Sequence, residues 1–238
     1  MRQQVYVHVS KYISPESHIL ELNAGTGIDA LHFASIGHSV HATDLSDGMI
    51  SQIASKVLKS KFGTRITYQQ VSNERLDKLT VKNFDYAFSN FGGLNCTQDL
   101  SKATRHLSVL LKPGAFVTWV IMPPVCLSEL LWVFNGQWKK AFRRLNKQGT
   151  RSHLEGEYFL TYYHSLKKIR SAFGPTYKLI QSEGLAALSP QPHHCDFAIK
   201  SPRLYKFLRK LDGVFRNSYP FNRWADHIIV TFQYRPGK

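Results

Sequence analysis

Cysteine is scarce in this chain: Cys96, Cys126 and Cys195 are all it has in 238 residues. Odd in number and widely spaced, they exclude a disulfide framework and a zinc knuckle, and they point to a reducing, cytoplasmic setting. A long uninterrupted apolar run is also missing. The most apolar stretch, VTWVIMPPVCLSELLWVF, is broken by Pro123-Pro124 and carries Glu129, so it reads as a strand followed by an amphipathic helix rather than an integral membrane segment. The opening MRQQVYVHVSKYISPES lacks both the apolar segment and the small-residue cleavage site of a secretory signal. No internal repeat or low-complexity tract is visible, which leaves one domain with insertions as the simplest organisation.

Acid is in short supply as well. Sixteen Asp and Glu stand against 31 Lys and Arg, for a formal net charge of +15. The imbalance is local: residues 1–70 carry six bases and five acids, whereas residues 137–212 carry fifteen and five. Such a surface attracts nucleic acid, anionic lipid or an acidic substrate, and it equally serves to keep a protein solvated.

What is present is an alternation of short apolar runs with helix-length segments. HILELN (18–23), SVHATD (39–44), ITYQQ (66–70), FDYAFS (84–89) and AFVTWVI (115–121) read as strands. Ser46 is placed to cap the helix that follows it, and KPG at 112–114 closes another helix before the fifth strand. This pattern predicts a parallel sheet with helices on both faces and ligands beyond the carboxyl ends of the strands. After Pro124 the spacing predicts helices over 128–145 and 163–173, a strand over 176–181, a helix from Pro202 capped by Ser201, and a final antiparallel strand over 226–234. In the helix from Pro202, Leu204, Phe207, Leu208, Leu211 and Phe215 form one apolar stripe. A helix lying on a membrane has this pattern, and so has the commoner helix packed on its own domain; packing is the expectation.

Between the first two strands, Gly25, Gly27 and Ala30 satisfy G-x-G-x-x-G/A, with Asp44 at the end of the second strand. On those residues alone a nicotinamide dinucleotide fits. Glu21 argues against it, because a carboxylate is a poor neighbour for a pyrophosphate at a helix N-terminus and a good one for an ammonium. LLKPGAFVTWV and the long final strand after a basic, aromatic insertion weigh the same way.

On these residues the chain resembles the class I S-adenosylmethionine-dependent methyltransferases. ILELNAGTG is similar to their first motif, VHATDLSDGM to the second-strand acid and its helix, and LKPGAF to the turn into strand five. The resemblance covers residues 18–122 and, more loosely, the C-terminal hairpin; FDYAFSNFGGLNC and TYYHSL look closest to small-molecule methyltransferases of the ubiquinone/menaquinone-methylase type. It implies a doubly wound, Rossmann-like α/β sheet of seven strands, order 3-2-1-4-5-7-6 with strand seven antiparallel. It also implies a single domain over 1–238, with a core at 14–124 and 172–238 and a helical lid at about 125–171. S-adenosylmethionine is the implied cofactor. Glu21, Asn23, Ala24, Gly25 and Gly27 would lie under its methionine part, Asp44 on the ribose hydroxyls, and Leu45 and Met49 beside the adenine. Asn90, Phe91 and Gly92 would line the methyl-transfer site. The chain departs from the pattern twice. Asn23 replaces the usual first glycine, which is tolerable because Asn accepts left-handed backbone. The acid that follows strand three is replaced by Ser72, Asn73 and Glu74, of which Asn73 is taken as the acceptor.

The aromatic insertion, with Trp132, Trp138, Tyr158, Tyr162 and Tyr163, points to a small apolar or aromatic acceptor. His164, flanked by Tyr162, is the expected base, since imidazole exchanges protons near neutrality. His227 beside Asp226 is a second candidate, although a structural Asp–His contact accounts for it. HHCD at 193–196 lacks the spacing of a tetrahedral metal site, so no metal is expected. RNA or DNA methylation is the runner-up, raised by the basic half and opposed by SNFGG, which is not the Pro-Pro-aromatic sequence that grips a flipped base. A cofactor-binding partner without turnover is the third reading. Nucleic acid is thus the less favoured partner, and a homodimer is left open.

Overall fold

The computed structural model describes residues 1–154, 157–190 and 195–237. Its strands are β1 His18–Leu22, β2 Ser39–Asp44, β3 Ile66–Gln70, β4 Phe84–Ser89, β5 Leu111–Ile121, β6 Thr150–Leu154, β7 Glu157–Thr161, β8 Tyr177–Leu185 and β9 His227–Tyr234. The longer helices are α1 Arg2–Val9, α2 Ile28–Ser35, α3 Asp47–Lys59, α4 Leu166–Phe173 and α5 Pro202–Phe215. Seven strands form one sheet in the order β3-β2-β1-β4-β5-β9-β8, and β6 and β7 form a separate hairpin. The first five strands are parallel, and β9 runs antiparallel to both β5 and β8. This is the expected sheet, with β2, β3 and β4 bounded where the sequence placed them.

Period-two alternation clothes both faces of the sheet. Leu20, Leu22, Trp119, Val230 and Phe232 face one side, where Ile169 and Phe173 of α4 pack on them; Phe173 stacks on Phe232 with ring centroids 4.1 Å apart. Ile19, Phe88, Val120 and Ile229 face the other, covered by Val5 and Val9 of α1 and by Ala30 and Phe33 of α2. Polar groups buried on that second face are bonded to one another, as burial demands. His8 lies 2.9 Å from Glu183 and 2.8 Å from Thr231, whose hydroxyl lies 2.7 Å from that of Thr118. These contacts pin α1, an element the sequence reading did not foresee, to β8 and β9.

The insertion after β5 departs from expectation. The predicted helix over 128–145 is a series of short helical turns, because Gly136, at φ +70°, breaks it. The lid is not wholly helical, since the β6–β7 hairpin occupies 150–161. Tyr163 and His164 precede α4, which begins only after Ser165 accepts the Lys168 N–H. Helix α5 is present, but Leu204, Phe207 and Phe215 of its apolar stripe are exposed rather than packed. His193 and His194 of the HHCD run lie outside the described residues. Among the described residues no helix is long and apolar enough to cross a membrane.

Candidate active site

The turn between β1 and α2 is set by three consecutive demands on the backbone. Asn23, Gly25 and Gly27 all take positive φ, at 51°, 55° and 74°, where a side chain is strained unless it is Asn or Gly. Close approach adds a further constraint: a Cβ on Gly93, in the loop after β4, would collide with the Asn23 side chain. The turn is then tied to β2. Gly25 N–H donates to Asp44 Oδ2 (2.9 Å) and Ser46 N–H to Asp44 Oδ1 (2.9 Å), which fixes the carboxylate between the turn and the start of α3. Each oxygen keeps a further lone pair for a ligand.

Beyond the carboxyl ends of β1, β2 and β4 lies a cleft of about 370 Å³. Asn23, Ala24, Gly25, Asp44, Met49, Asn90 and Phe91 line it, as expected. Five expected residues do not, among them Gly92 in the loop after β4. Gly27 packs against Ile53, and Leu45 turns its side chain to solvent. Asn73 donates to Asn23 Oδ1 (2.6 Å), so it braces the turn rather than offering an acceptor to the cleft. Glu21 lies beneath, fully buried on the Ile19 side of β1, with Oε2 unpartnered among the described residues. Burial, then the nearby charges of Asp29 and Asp44, push its carboxyl well above the usual range. Larger grooves between α1 and α5 and beside α4 do not reach the glycine turn.

The sequence reading missed several contributors. Asp29, in the first turn of α2, joins three elements: Oδ1 accepts from Arg2 and Tyr6 of α1, and Oδ2 from Asn90 Nδ2 (3.0 Å) after β4. An acid in the first turn of the helix after a glycine turn was the available signal. Arg2 also lies over the Phe91 ring, 4.9 Å from its centroid. From the hairpin, Phe159 reaches the cleft, opposite Cys96 in the loop after β4.

His227 stands behind Phe91, the two rings perpendicular with centroids 5.6 Å apart. Its Nδ1–H donates to Asp226 Oδ2 (3.0 Å), which leaves Nε2 with a lone pair. That nitrogen faces the loop after β4, since a Cβ on Gly92 would sit 3.8 Å from it. The pair is anchored from the lid. The buried Arg144 places Nη2 2.8 Å from Asp226 Oδ1 and 2.7 Å from Glu129 Oε1. Burial works against the Asp226 carboxylate, but His227 and Arg144 hold it below its usual range. Cys126, Glu129 and Asp226 bring ligand atoms within 4.8 Å of one another, yet the cation their carboxylates share is Arg144.

The two residues expected to perform the chemistry, His164 and Tyr162, do not line the cleft. His164 is completely buried and donates Nε2–H to the Thr97 carbonyl (2.9 Å). Tyr162 donates its N–H to the Asn95 carbonyl (2.7 Å). Asn95, also fully buried, donates in turn to the carbonyls of Met122 and Tyr162. These residues fasten the returning lid to the end of β5. Burial, reinforced by Lys168, lowers the His164 imidazole from 6.5 to about 4. Its neutral folded form therefore favours folding fully above pH 6.5, and this contribution is lost as pH falls toward 4. The loss should reach about 3 kcal/mol at the lower end of that window. Urea melts at stepped pH check this, with His164→Gln, which keeps a donor for Thr97, giving the flatter profile.

Residues 19–114 match a family model described as a methyltransferase domain. No curated protein matches the sequence. Among solved structures, an S-adenosylmethionine-dependent methyltransferase of Methanosarcina mazei superposes with a TM-score of 0.65 at 13% identity, over 96% of this chain and 97% of that one. A Bacillus subtilis protein gives 0.62 at 16% identity with both chains fully covered. Phosphoethanolamine N-methyltransferase 2 of Haemonchus contortus, in complex with phosphomonomethylethanolamine and S-adenosylhomocysteine, gives 0.59 at 20% identity, over 98% of this chain and 52% of that one. At such identities the structural likeness speaks for the fold. The sequence match speaks for the domain: residues 19–114 are similar to a methyltransferase domain, and the chain as a whole takes the fold of S-adenosylmethionine-dependent methyltransferases.

Proposed function

We propose that the protein methylates a small apolar or aromatic molecule bearing a hydroxyl, and that His227 takes the proton. The observation that carries this reading is the Asp226–His227 pair packed against Phe91 of the cleft wall. His227 itself stands behind that wall, its Nε2 toward the loop after β4, so Phe91 must give way for it to meet the acceptor. The cofactor's fit rests on the acids. In a chain of net charge +15, Asp29 and Asp44 stand beside one glycine turn, which suits a cationic donor and opposes a pyrophosphate. Glu21 Oε2 offers a buried open acceptor beneath the turn. Asp44 would hold ribose hydroxyls, and Met49 and Ile28 would give the base an apolar wall. Bound there, S-adenosylmethionine supplies a methyl group on a positively charged sulfur.

The chain's own contribution is alignment, exclusion of water and proton removal. Phe91, Cys96 and Phe159 form an apolar side of the cleft. The Nε2 lone pair of His227 would accept the acceptor's proton, with Asp226 compensating the imidazolium and Arg144 holding Asp226 in place. Small size agrees with the phosphomonomethylethanolamine that the Haemonchus contortus enzyme holds beside S-adenosylhomocysteine. Nucleic acid gains no support from the cleft wall, because among the described residues Phe159 is the one member of 137–212 that lines it and Arg2 its one base.

Calorimetry tests the reading. S-adenosylhomocysteine should bind and NAD should not. Asp44→Ala should weaken binding by about 1.5–3 kcal/mol, roughly ten- to a hundredfold, since hydrogen bonds to a charged acceptor are lost. Tight binding of NAD with none of S-adenosylhomocysteine would overturn it.

A further inference from the structure

Helix α5 is attached to the body by the wrong side for an ordinary amphipathic helix. Its polar face makes the anchoring contacts. Asp212 accepts the N–H groups of Leu188 (2.8 Å) and Ser189 (3.1 Å), and Arg216 pairs with the buried Glu183 (3.2 Å). Its apolar face is turned outward, with Leu204 48%, Phe207 56% and Val214 63% exposed. Ile199, on the short turn of helix before α5, is also exposed, at 77%. At 3.6 residues per turn, Leu204, Phe207, Leu211, Val214 and Phe215 fall within about 120° of the helix surface. Scattered exposed hydrophobes are ordinary, but a contiguous strip of them is a binding face.

Charge decides what covers it. Arg203, Lys206 and Lys210 border the strip, are exposed, and form no ion pair among the described residues. A second copy seated on this strip would bring those bases together in a chain that already carries +15. An anionic bilayer complements both parts: the apolar side chains enter the acyl boundary while the bases meet headgroups. We infer that α5 docks the protein, lying flat, on a membrane surface rich in anionic lipid. This stands apart from the acceptor's identity, since none of these residues lines the cleft.

Co-sedimentation of the full chain with vesicles tests it, using phosphatidylcholine alone against phosphatidylcholine with phosphatidylglycerol. Partition should be at least tenfold stronger to the anionic vesicles and should weaken, without vanishing, as salt rises. Leu204→Ser with Phe207→Ser should lower it at least tenfold with the melting temperature unchanged, since both side chains are exposed. Lys206→Gln and Lys210→Gln should each cost about fivefold. Equal pelleting with neutral and anionic vesicles, or partition indifferent to these substitutions, would overturn the proposal. So would a dimer, present without vesicles, that Phe207→Ser dissociates; the strip would then belong to a second copy.

Discussion

His227→Gln is expected to cut turnover by about a hundredfold or more while leaving the affinity for S-adenosylhomocysteine unchanged. Glutamine can still donate to Asp226 but cannot take a proton, so the substitution separates chemistry from architecture. The readout is S-adenosylhomocysteine released across a panel of phenols and other hydroxylated aromatics, beside calorimetry on the same variant. If His227 only props up Phe91, glutamine should preserve most of the rate, and catalysis would rest on alignment. Added imidazole should restore part of the turnover of His227→Ala, an effect no purely structural role produces. Thiols and amines that are methylated as fast by the variant as by the parent would move the acceptor class away from hydroxyls while leaving cofactor binding as it stands.

Arg144→Met should destabilise the fold by about 3 kcal/mol in urea melts. The guanidinium is buried and reaches Glu129, the Asp226 carboxylate and the Asp226 carbonyl at once. Removing one member of such a buried network costs about 3–5 kcal/mol, because the remaining charges keep their desolvation without their counterion. The lower end applies here, since Arg143 still pairs with Glu129 and His227 with Asp226. Lysine at 144 should recover only part of the loss, because a single ammonium cannot replace a fork bonded to several acceptors. A change below about 1 kcal/mol would mean that the lid is held by its apolar contacts instead.

The sheet was legible because its central strands are buried on both faces and so appear as nearly continuous apolar runs such as HILEL and FDYAFS. The glycine turn was legible for the opposite reason, as a place where side chains are forbidden. Contacts between residues far apart in sequence were not. Helix α1 is eight residues long and has only Val5 and Val9 as an apolar i, i+4 pair. Its docking depends on Glu183, 175 positions away, and no local pattern announces it. The hairpin was hidden because polar residues interrupt its alternation: Ser152 of β6 and Thr161 of β7 bring their hydroxyls within 2.7 Å, and Ser152 stands opposite Phe159. His164 drew attention through its tyrosine neighbours, whereas position is decided by the ladder. Pairing of Ile121 with Ile228 sets His227 at the carboxyl end of β5, beside the loop that carries Phe91. In α5 the stripe was visible, but periodicity cannot say which side of a helix meets the body.

Helix α1 is held unequally along its length. Val5, His8 and Val9 are buried, whereas Arg2, which reaches Asp29 at the rim of the cleft, is part-exposed. A helix of eight residues has little stability of its own, so its first turn can unwind while the His8 end stays seated. Arg2 and Tyr6 both bond Asp29, so one α2 carboxylate ties the N-terminal half of α1 to the rim of the cleft, and Asp29→Asn should loosen that end of the helix while His8 keeps the other in place.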